Sequence, residues 1–355
     1  MPDFDRGRFP AALVASAFLV LAACGGGGSG SDDVRPSKLF ALDVAHSAVG
    51  STANANPPPG TGLVPERIIN GGDTKLSGGS GCDFRNCISS MALDSPRDQL
   101  YVSTRRGILV FNKAGTATGN VAPSRVINIG AGPRFIQLNV ASDVLYISSG
   151  TIPSGAVDPT SSNLILALNS ASTASDLSTA SRTLTLTMGP NDTIIGFALD
   201  ATHDVLYVAI SRNTDVNVGL IRGVASKPSG ALTLDAEFLV SATTNVADAI
   251  RESISVDPAR DRLFVAIRPS QVLVFDNAST RTSGAQTPDR TIQLPGFPDQ
   301  YRLFLESTND RLYASSGHNQ VLIVNNAGTA TGTVAAPLIL QLFPDSDFVA
   351  VVARP

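Results

Sequence analysis

Acidic and amide side chains occur in pairs, four residues apart, at five places in the sequence. Two neighbouring carboxyl groups can serve as general acid and general base, which is the chemistry of many hydrolases. A catalytic pair is needed once, however, whereas this spacing recurs. Asp and Asn side chains also accept hydrogen bonds from backbone amides two residues further on and so stabilise tight turns. We therefore predict turn residues at Asp94 and Asp98, Asn139 and Asp143, Asp200 and Asp204, Asp257 and Asp261, and Glu306 and Asp310.

Residues for nucleophilic catalysis or phosphate binding do not form a known motif. The sequence has three histidines, which are scattered, and it lacks the Gly-x-Ser-x-Gly turn that exposes a nucleophilic serine. Its glycine runs are not bracketed by a strand and a helix, as a phosphate-binding loop requires. His203 falls within one of the repeated turns, whereas His318 lies in a loop and is a candidate binding residue. We assign no catalytic residue.

Two cysteines lie five positions apart in Gly-Cys-Asp-Phe-Arg-Asn-Cys, at Cys82 and Cys87. In an oxidising compartment, such a pair can close a small disulfide loop if the backbone turns back on itself. A zinc site would need two further ligands, and none is near in the sequence. We therefore predict a Cys82–Cys87 disulfide, with two unbridged thiols as the alternative.

The chain begins with a basic and then apolar segment. Arg6 and Arg8 precede an apolar run that is short for a membrane span, which is typical of a cleaved export signal. The run ends in Leu-Ala-Ala-Cys24, which resembles the lipobox of bacterial lipoproteins. This resemblance implies a signal peptide over residues 1–23, cleavage before Cys24 and diacylglycerol on its sulfur. An ordinary secretory signal with an incidental cysteine is the alternative.

A Gly/Ser-rich stretch follows the lipobox, and residues 24–36 are predicted to be a lipidated flexible tether. Two or three acyl chains hold a protein on a membrane almost permanently. Gly25 stands where an aspartate is associated with inner-membrane retention in enteric bacteria. The resemblance therefore implies a lipid-anchored protein of the bacterial cell envelope, in the outer membrane rather than the inner one.

Composition limits the remaining classes. Hydrophobic residues make up 43% of the chain, which excludes wholesale disorder, and no second apolar stretch of membrane-spanning length occurs in the sequence. The formal net charge is −4 and basic residues are scattered, so the sequence lacks the basic patch that nucleic-acid binding requires. We expect a folded body on a lipid anchor, with no nucleic-acid partner.

An internal repeat predicts the fold. The phrase Asp-x-Leu-Tyr/Phe begins at each of the five repeated aspartates. An alternating apolar segment precedes each copy and two more follow it, the last commonly introduced by Pro-x-Arg. Each unit therefore predicts four short strands, separated by Gly, Asn, Asp, Ser and Pro, without a helical period. Four-stranded units repeated around an axis are the blades of a β-propeller.

The chain ends supply a sixth blade. A strand at Phe348 matches the first strand of a unit, and the segments at Lys38 and Pro65 match a second and a fourth strand. The third strand is expected near Ala48–Ala53. We predict an all-β, six-bladed propeller over residues 37–355, with four-stranded antiparallel blades, whose last blade is closed by the N-terminal strands. Such closure removes exposed sheet edges.

Several phrases of the repeat, among them LYVA, ILVFNKA and PSRVI, are similar to the NHL and YVTN groups of bacterial propeller repeats. The resemblance covers nearly all of residues 38–355. It implies the architecture; for activity it leaves open binding scaffolds, sensors and a minority of enzymes.

In propellers, the loops that enter each first strand and those that join the second and third strands surround one mouth of the channel. Arginine is well represented in these loops, and guanidinium groups bind carboxylate or phosphate through paired hydrogen bonds. Solvated loop charges are the alternative interpretation. The candidate ligand-binding residues are Arg85, Arg105, Arg134, Arg251, Arg268, Arg302 and His318.

Acidic residues alternate with these arginines. Gluconolactonase-like propellers hold a divalent cation at the axis with carboxylate and amide oxygens, and Ca²⁺ accepts six to eight oxygen ligands. In this alternative, Ca²⁺ is a cofactor, and it would be bound by Asp83, Asp192, Glu252 and Asp299. The other interpretations require no cofactor.

Three functions remain open at this stage. The first is a noncatalytic, membrane-anchored propeller that binds a small anionic ligand or an envelope protein. The second is a metal-dependent hydrolase, lactonase or lyase that resembles gluconolactonases. The third is a structural protein of the envelope. The first is favoured because no reactive set of residues stands out.

Overall fold

The computed structural model places residues 36–355 in one compact unit. The residues that it describes are 38–43, 46–52, 65–76, 88–104, 107–129, 132–151, 160–176, 178–189, 192–212, 215–242, 254–267, 270–295, 301–316, 320–334, 338–340 and 348–354. Within these ranges, no helix has the length and apolar character of a membrane span.

Short strands form nearly all the regular structure, with single 3-10 turns at Gly72–Thr74 and Ala278–Thr280. The first strands are β1 (Lys38–Asp43), β2 (Ala48–Ser51), β3 (Arg67–Ile69), β4 (Ile88–Asp94), β5 (Gln99–Thr104), β6 (Gly107–Asn112), β7 (Arg125–Ile127), β8 (Gly132–Asn139), β9 (Val144–Thr151), β10 (Thr160–Asn169), β11 (Arg182–Leu186), β12 (Thr193–Asp200), β13 (Val205–Arg212) and β14 (Asp215–Arg222). The others are β15 (Gly230–Leu232), β16 (Ala236–Ala242), β17 (Ile254–Asp257), β18 (Arg262–Ile267), β19 (Gln271–Asp276), β20 (Gly284–Ala285), β21 (Arg290–Gln293), β22 (Tyr301–Glu306), β23 (Arg311–Ser316), β24 (Gln320–Asn325), β25 (Gly332–Thr333), β26 (Leu338–Leu340) and β27 (Phe348–Arg354).

Six sheets, each built on four antiparallel strands, form the blades of a β-propeller, which confirms the predicted fold. Blade 1 is β4–β7, blade 2 is β8–β11, and blade 3 is β12, β13, β14 and β16. Blade 4 is β17, β18, β19 and β21, and blade 5 is β22, β23, β24 and β26. Blade 6 has the order β27-β1-β2-β3, so the last strand of the chain pairs with the first described one, as predicted.

The innermost strands of the six blades contact one another in a closed cycle: β4, β8, β12, β17, β22, β27 and again β4. The apolar core is correspondingly divided into six clusters of buried side chains, each of which joins two adjacent blades. Because both faces of a blade are covered by its neighbours, second strands such as β13 are buried along nearly their whole length. The tyrosines of the repeat, Tyr101, Tyr146, Tyr207 and Tyr313, are among the largest fully buried side chains.

Three blades carry a fifth, short strand that the sequence did not predict. β15, β20 and β25 each lie between the third and fourth strands of one blade, and each pairs in parallel with the outermost strand of the preceding blade. An isolated parallel bridge between Ile69 and Gly119 links blade 6 to blade 1 in the same way. These pairings cover part of the outer edge strand, which limits edge-to-edge association.

Candidate functional site

Each of the five repeated aspartates lies in the turn between the first and second strands of its blade and is hydrogen-bonded to the turn that follows the third strand. Asp98, Asp143, Asp204, Asp261 and Asp310 all have φ between 50° and 55°, a left-handed conformation that Asp tolerates better than most residues. In blade 4, the Asp261 carbonyl accepts a hydrogen bond from Ala278 N at 3.0 Å. Its carboxylate accepts bonds from Ser279 N and Ser279 Oγ, both at 2.8 Å. These carboxylates therefore have a structural role, as the sequence analysis predicted.

The acidic residues four positions upstream are also turn residues. Asp94, Asp200 and Asp257 have no exposed surface. Asp94 accepts hydrogen bonds from the backbone N of Arg97 at 3.1 Å and from its Nη1 at 2.8 Å. The usual amide donor is thus three residues downstream, whereas the sequence analysis expected it two residues downstream. Blade 6 contains a sixth copy of this turn, at Asp43 and Ser47, which was missed because serine replaces the second aspartate.

The side chain three residues after Asp94, Asp200 or Asp257 extends this contact towards the next blade. Arg97 is attracted to Asp143 as well as to Asp94, and Arg260 is attracted to Asp310 as well as to Asp257. His203 occupies the same position between Asp200 and Asp261, and its Nδ1 lies 2.8 Å from Asp200 Oδ2. The hydrogen bond to Asp200 raises the pKa of the imidazole, and the negative charges of Asp200 and Asp261 add to this effect.

Asp200, His203 and Asp261 bring ligand atoms within 4.8 Å of one another, which is close enough to suit a metal ion. Two observations favour a different role. Asp261 already accepts two hydrogen bonds from Ser279, and arginines take the place of His203 in blades 1 and 4. We therefore interpret this cluster as an inter-blade contact in which a cation lies between two carboxylates.

Arginines that begin fourth strands bind the carbonyl groups of the following blade. Arg182 of blade 2 donates from Nη1 to Val224 O at 2.8 Å and to Lys227 O at 2.9 Å in blade 3. Arg67 donates to Thr116 O at 3.2 Å, Arg125 donates to Ser172 O, and Arg290 donates to Gly328 O. These arginines, three of which belong to Pro-x-Arg phrases, therefore connect neighbouring blades.

In the part of the chain that the structure describes, the innermost strands of all six blades line a concave site at the central channel. A cavity of about 150 Å³ lies there, lined by fifteen residues of β4, β8, β12, β17, β22 and β27. Its lining residues include Phe135, Phe197 and Phe304 and the polar residues Ser90, Gln137 and Arg302. Arg302 is the charged residue among the lining residues that the structure describes.

Three of the predicted site residues lie in the described part of the chain. Arg302, in β22, lines the channel. Arg134, in β8, is half-buried, and its guanidinium carbon lies 5.2 Å from the centre of the Phe135 ring. Asp192, just before β12, forms an ion pair with Arg212 and accepts a hydrogen bond from Gly189 N at 2.7 Å. Its carboxylate, the described member of the predicted Ca²⁺ set, is thus bound by a cation of its own blade.

Arg212 itself was not predicted to be a partner of these carboxylates. It lies at the end of β13, and its Nη2 donates to Glu237 Oε2 at 2.8 Å. Hydrogen bonding to Glu237, together with the negative charge of Asp192, raises the pKa of the guanidinium. Asp192 and Glu237 are therefore held on opposite sides of one cation.

The remaining predicted residues lie outside the described residues. They are the lipidation site Cys24, the disulfide pair Cys82 and Cys87, the ligand-binding candidates Arg85, Arg105, Arg251, Arg268 and His318, and the Ca²⁺ candidates Asp83, Glu252 and Asp299.

Comparison with solved structures supports the architecture. No family model matches the chain, and no curated relative matches it. A chain from the crystal structure of a nidogen/laminin complex is similar to this one, with a TM-score of 0.52 over 89% of this chain and 97% of that chain. The two sequences are 11% identical, so this likeness shows a shared β-propeller fold.

The inter-blade arginines are the site residues that sequence reasoning missed. Their signal was present, because Arg follows Pro at a fixed distance in several units. The sequence analysis used this phrase to locate strands and did not ask what the guanidinium binds. The phenylalanine wall of the channel was also missed, because Phe135, Phe197 and Phe304 fall at different places in their apolar segments.

Proposed function

We propose that this chain is a lipid-anchored protein of the bacterial cell envelope whose propeller binds a protein partner. The observation that carries the proposal is the size of the channel. Pockets for drug-sized ligands usually measure about 300–1,000 Å³, whereas this cavity measures about 150 Å³. A ligand that is fully enclosed in this cavity must therefore be small, and a protein partner must bind to the outer surface of the propeller.

Two further observations support binding over hydrolysis. The repeated carboxylates, which were the strongest candidates for acid–base chemistry, are engaged in turns and inter-blade contacts. Asp192, a candidate ligand of Ca²⁺, is paired with Arg212. The similar chain comes from the crystal structure of a nidogen/laminin complex, and by analogy of fold alone this is consistent with binding of a protein partner here.

Lipid anchoring completes the proposal. The lipobox-like sequence supports Cys24 as the acyl acceptor, and an anchored propeller needs no membrane-spanning segment to stay at the envelope.

Changing Cys24→Ser removes the thiol, so metabolic labelling with a fatty acid should be lost and the chain should leave the membrane fraction. Normal labelling of the variant would show that Cys24 is not the acyl acceptor.

The binding proposal is tested by site-specific photo-crosslinking of the full chain in intact cells. A photoreactive residue at Arg105, Arg268 or His318, the predicted mouth of the channel, should give one adduct of defined mass. As a control, the photoreactive residue is placed at Thr202 or Thr308, which are exposed turn positions. These control variants should give no adduct. Absence of an adduct at every position, together with a melting temperature that rises with Ca²⁺ and falls with EDTA, would favour the metal-dependent enzyme instead.

A further inference from the structure

We propose that Asn70 is a site of spontaneous deamidation, at which water converts the side-chain amide to aspartate and isoaspartate beside the contact between blade 6 and blade 1. The reaction needs no enzyme, and its co-reactant is water. It is independent of the proposed lipid anchor and protein partner.

Deamidation of an Asn-Gly pair proceeds through a cyclic imide. The glycine backbone nitrogen attacks the asparagine Cγ, so that a new N–C bond forms and the bond from Cγ to the side-chain nitrogen breaks. The proton of the glycine N–H leaves with that nitrogen as part of ammonia. Water then opens the imide at either carbonyl. One route gives aspartate, and the other gives isoaspartate, whose main chain runs through the former side chain and is longer by one methylene.

The two reacting groups make no hydrogen bond to the described part of the protein. Asn70 follows β3 and is exposed. Its backbone N donates to Gly119 O at 3.1 Å, whereas its side-chain amide and the Gly71 N–H have no partner among the described residues. The neighbouring amide of Asn120 differs, because its Nδ2 donates to Asp73 Oδ2 at 2.8 Å. The nucleophile and the carbon that it attacks are therefore both available at Asn70.

The turn after β3 requires a glycine at position 71, so the reactive pair is part of the fold. Gly71 has a φ of 114°, which residues with a side chain rarely adopt. A Cβ at this position would lie 2.5 Å from Asn120 Oδ1. Glycine also leaves its nitrogen open to attack, because it has no Cβ to hinder the approach of Cγ.

Blade 1 provides a matched asparagine without this arrangement. Asn128 ends the phrase Arg-Val-Ile-Asn, as Asn70 ends Arg-Ile-Ile-Asn, and both residues are exposed. Asn128 is followed by Ile129, whose branched Cβ crowds the backbone nitrogen that would have to attack. Deamidation is therefore expected at Asn70 and not at Asn128.

Isoaspartate at position 70 would disturb the contact between blade 6 and blade 1. Before Asn70, Ile68 O accepts a hydrogen bond from Gly119 N at 2.6 Å. After it, Asp73 N donates to Asn120 Oδ1 at 2.8 Å. Both bonds join the same two segments, so an extra methylene between them forces at least one bond out of its geometry. Because water does not restore the amide, the modified fraction grows with the age of the chain.

The test is peptide mapping by mass spectrometry after incubation of the purified full chain at mildly alkaline pH. Digestion in water labelled with heavy oxygen marks any deamidation that occurs during digestion. Asn70 should deamidate at least about ten-fold faster than Asn128, and within about ten-fold of the rate in a peptide of residues 66–75. Isoaspartate should be among the products, since it forms from the imide and not by direct hydrolysis of the amide.

Two variants separate the modification from its consequence. Asn70→Gln keeps an amide but lengthens the side chain, which makes ring closure slower, so its melting temperature should not change on incubation. The incubated parent should melt about 1 °C or more below the fresh parent. Fresh Asn70→Asp adds the charge without lengthening the main chain and should melt like the fresh parent.

Several results would overturn the proposal. They are equal modification of Asn70 and Asn128, aspartate without isoaspartate, and a folded chain that is protected at Asn70 relative to the peptide. An incubated parent that melts like the fresh one despite its isoaspartate would overturn the effect on the blade contact. If Asn70→Gln does not fold, the rates at Asn70 and Asn128 in the parent decide the question.

Discussion

His203 shows how one residue type changes the behaviour of a repeated contact. In blades 1 and 4, the cation between the two carboxylates is Arg97 or Arg260, which is charged at every physiological pH. In blade 3 it is His203, whose imidazole titrates near neutrality. The contact between blades 3 and 4 should therefore depend on pH, and the contacts made by the arginines should not.

The direction of that dependence follows from the raised pKa of His203. A group with a higher pKa in the folded state stabilises the protein below its unfolded pKa, and this contribution is lost as pH rises through the folded pKa. Stability should therefore fall between about pH 6 and pH 8 more in the parent than in His203→Gln or His203→Arg. Urea unfolding at several pH values measures this. Identical pH profiles for parent and variants would mean that His203 does not stabilise the fold by protonation.

Tyr207 is an exception among the buried tyrosines of the repeat. Burial raises the pKa of all four phenols, so each remains a neutral hydroxyl that needs a partner. Tyr101 donates to Gln99 at 2.9 Å, and Tyr146 accepts a bond from Arg182 at 3.5 Å. The Tyr207 hydroxyl has no partner among the described residues. The fourth strand of its blade begins with Ala236 and Glu237, where blades 1, 2, 4 and 6 have an arginine.

This difference predicts opposite effects of the same substitution. Tyr207→Phe removes an unsatisfied buried hydroxyl and should leave the stability unchanged or raise it by about 1 kcal/mol. Tyr146→Phe removes a bonded hydroxyl beside a charged group and should lower the stability by about 1 kcal/mol. Chemical denaturation of the two variants under the same conditions provides the comparison. A loss of stability in Tyr207→Phe equal to that in Tyr146→Phe would show that the Tyr207 hydroxyl has a partner.

At the scale of elements, the repeat predicted the strands well because their positions depend on local pattern. The Pro-x-Arg strands appear as β3, β7 and β21, and the interrupted third strand of blade 6 appears as β2. The parallel strands β15 and β25 were not predicted, since Gly-Ala-Leu and Gly-Thr carry no strand pattern of their own. They form because the preceding blade offers an unpaired edge, which is a tertiary effect that a local pattern does not encode.

The candidate site was less predictable from the sequence than the strands were, because it also depends on tertiary structure. The position of Arg302 at the channel was predictable because the loops that enter the first strands of a propeller surround the channel, which is a property of the architecture. Pairing between Asp192 and Arg212 depends on how β12, β13 and β16 are aligned in space. A single sequence does not give that alignment for side chains 20 positions apart.

The inter-blade arginines should contribute measurably to stability. Arg182→Met retains the aliphatic stem but leaves the carbonyl groups of Val224 and Lys227 without their donor. Because an unsatisfied buried acceptor costs about 1–3 kcal/mol, we expect a loss of that size in the free energy of unfolding. Lys113→Met removes an equal charge at an exposed turn and should change stability by less than about 0.5 kcal/mol. Equal losses in the two variants would assign the effect to net charge.

At the scale of the whole molecule, the ring is closed by non-covalent pairing of the chain ends. β27 aligns with β1 from Lys38↔Arg354 to Asp43↔Phe348, and β27 also contacts β4 of blade 1 and β22 of blade 5. Val351, Val352 and Ala353 are buried in the two clusters that join blade 6 to its neighbours. One strand therefore contributes to two blade interfaces and to the wall of the channel.

Deleting residues 348–355 should consequently destabilise the entire propeller. Burial of two valines contributes about 3–6 kcal/mol, which is a large part of the roughly 5–15 kcal/mol that holds most domains folded. The deletion also exposes β1 as an edge, which favours aggregation. We expect a single unfolding transition at a lower temperature in calorimetry, partly restored when a peptide of residues 348–355 is added in excess. Removal of Pro355 alone leaves β27 intact and should not alter the melting temperature. If the larger deletion melts like the parent, closure by β27 does not hold the ring together, and blades 1 to 5 must be stable as an open array.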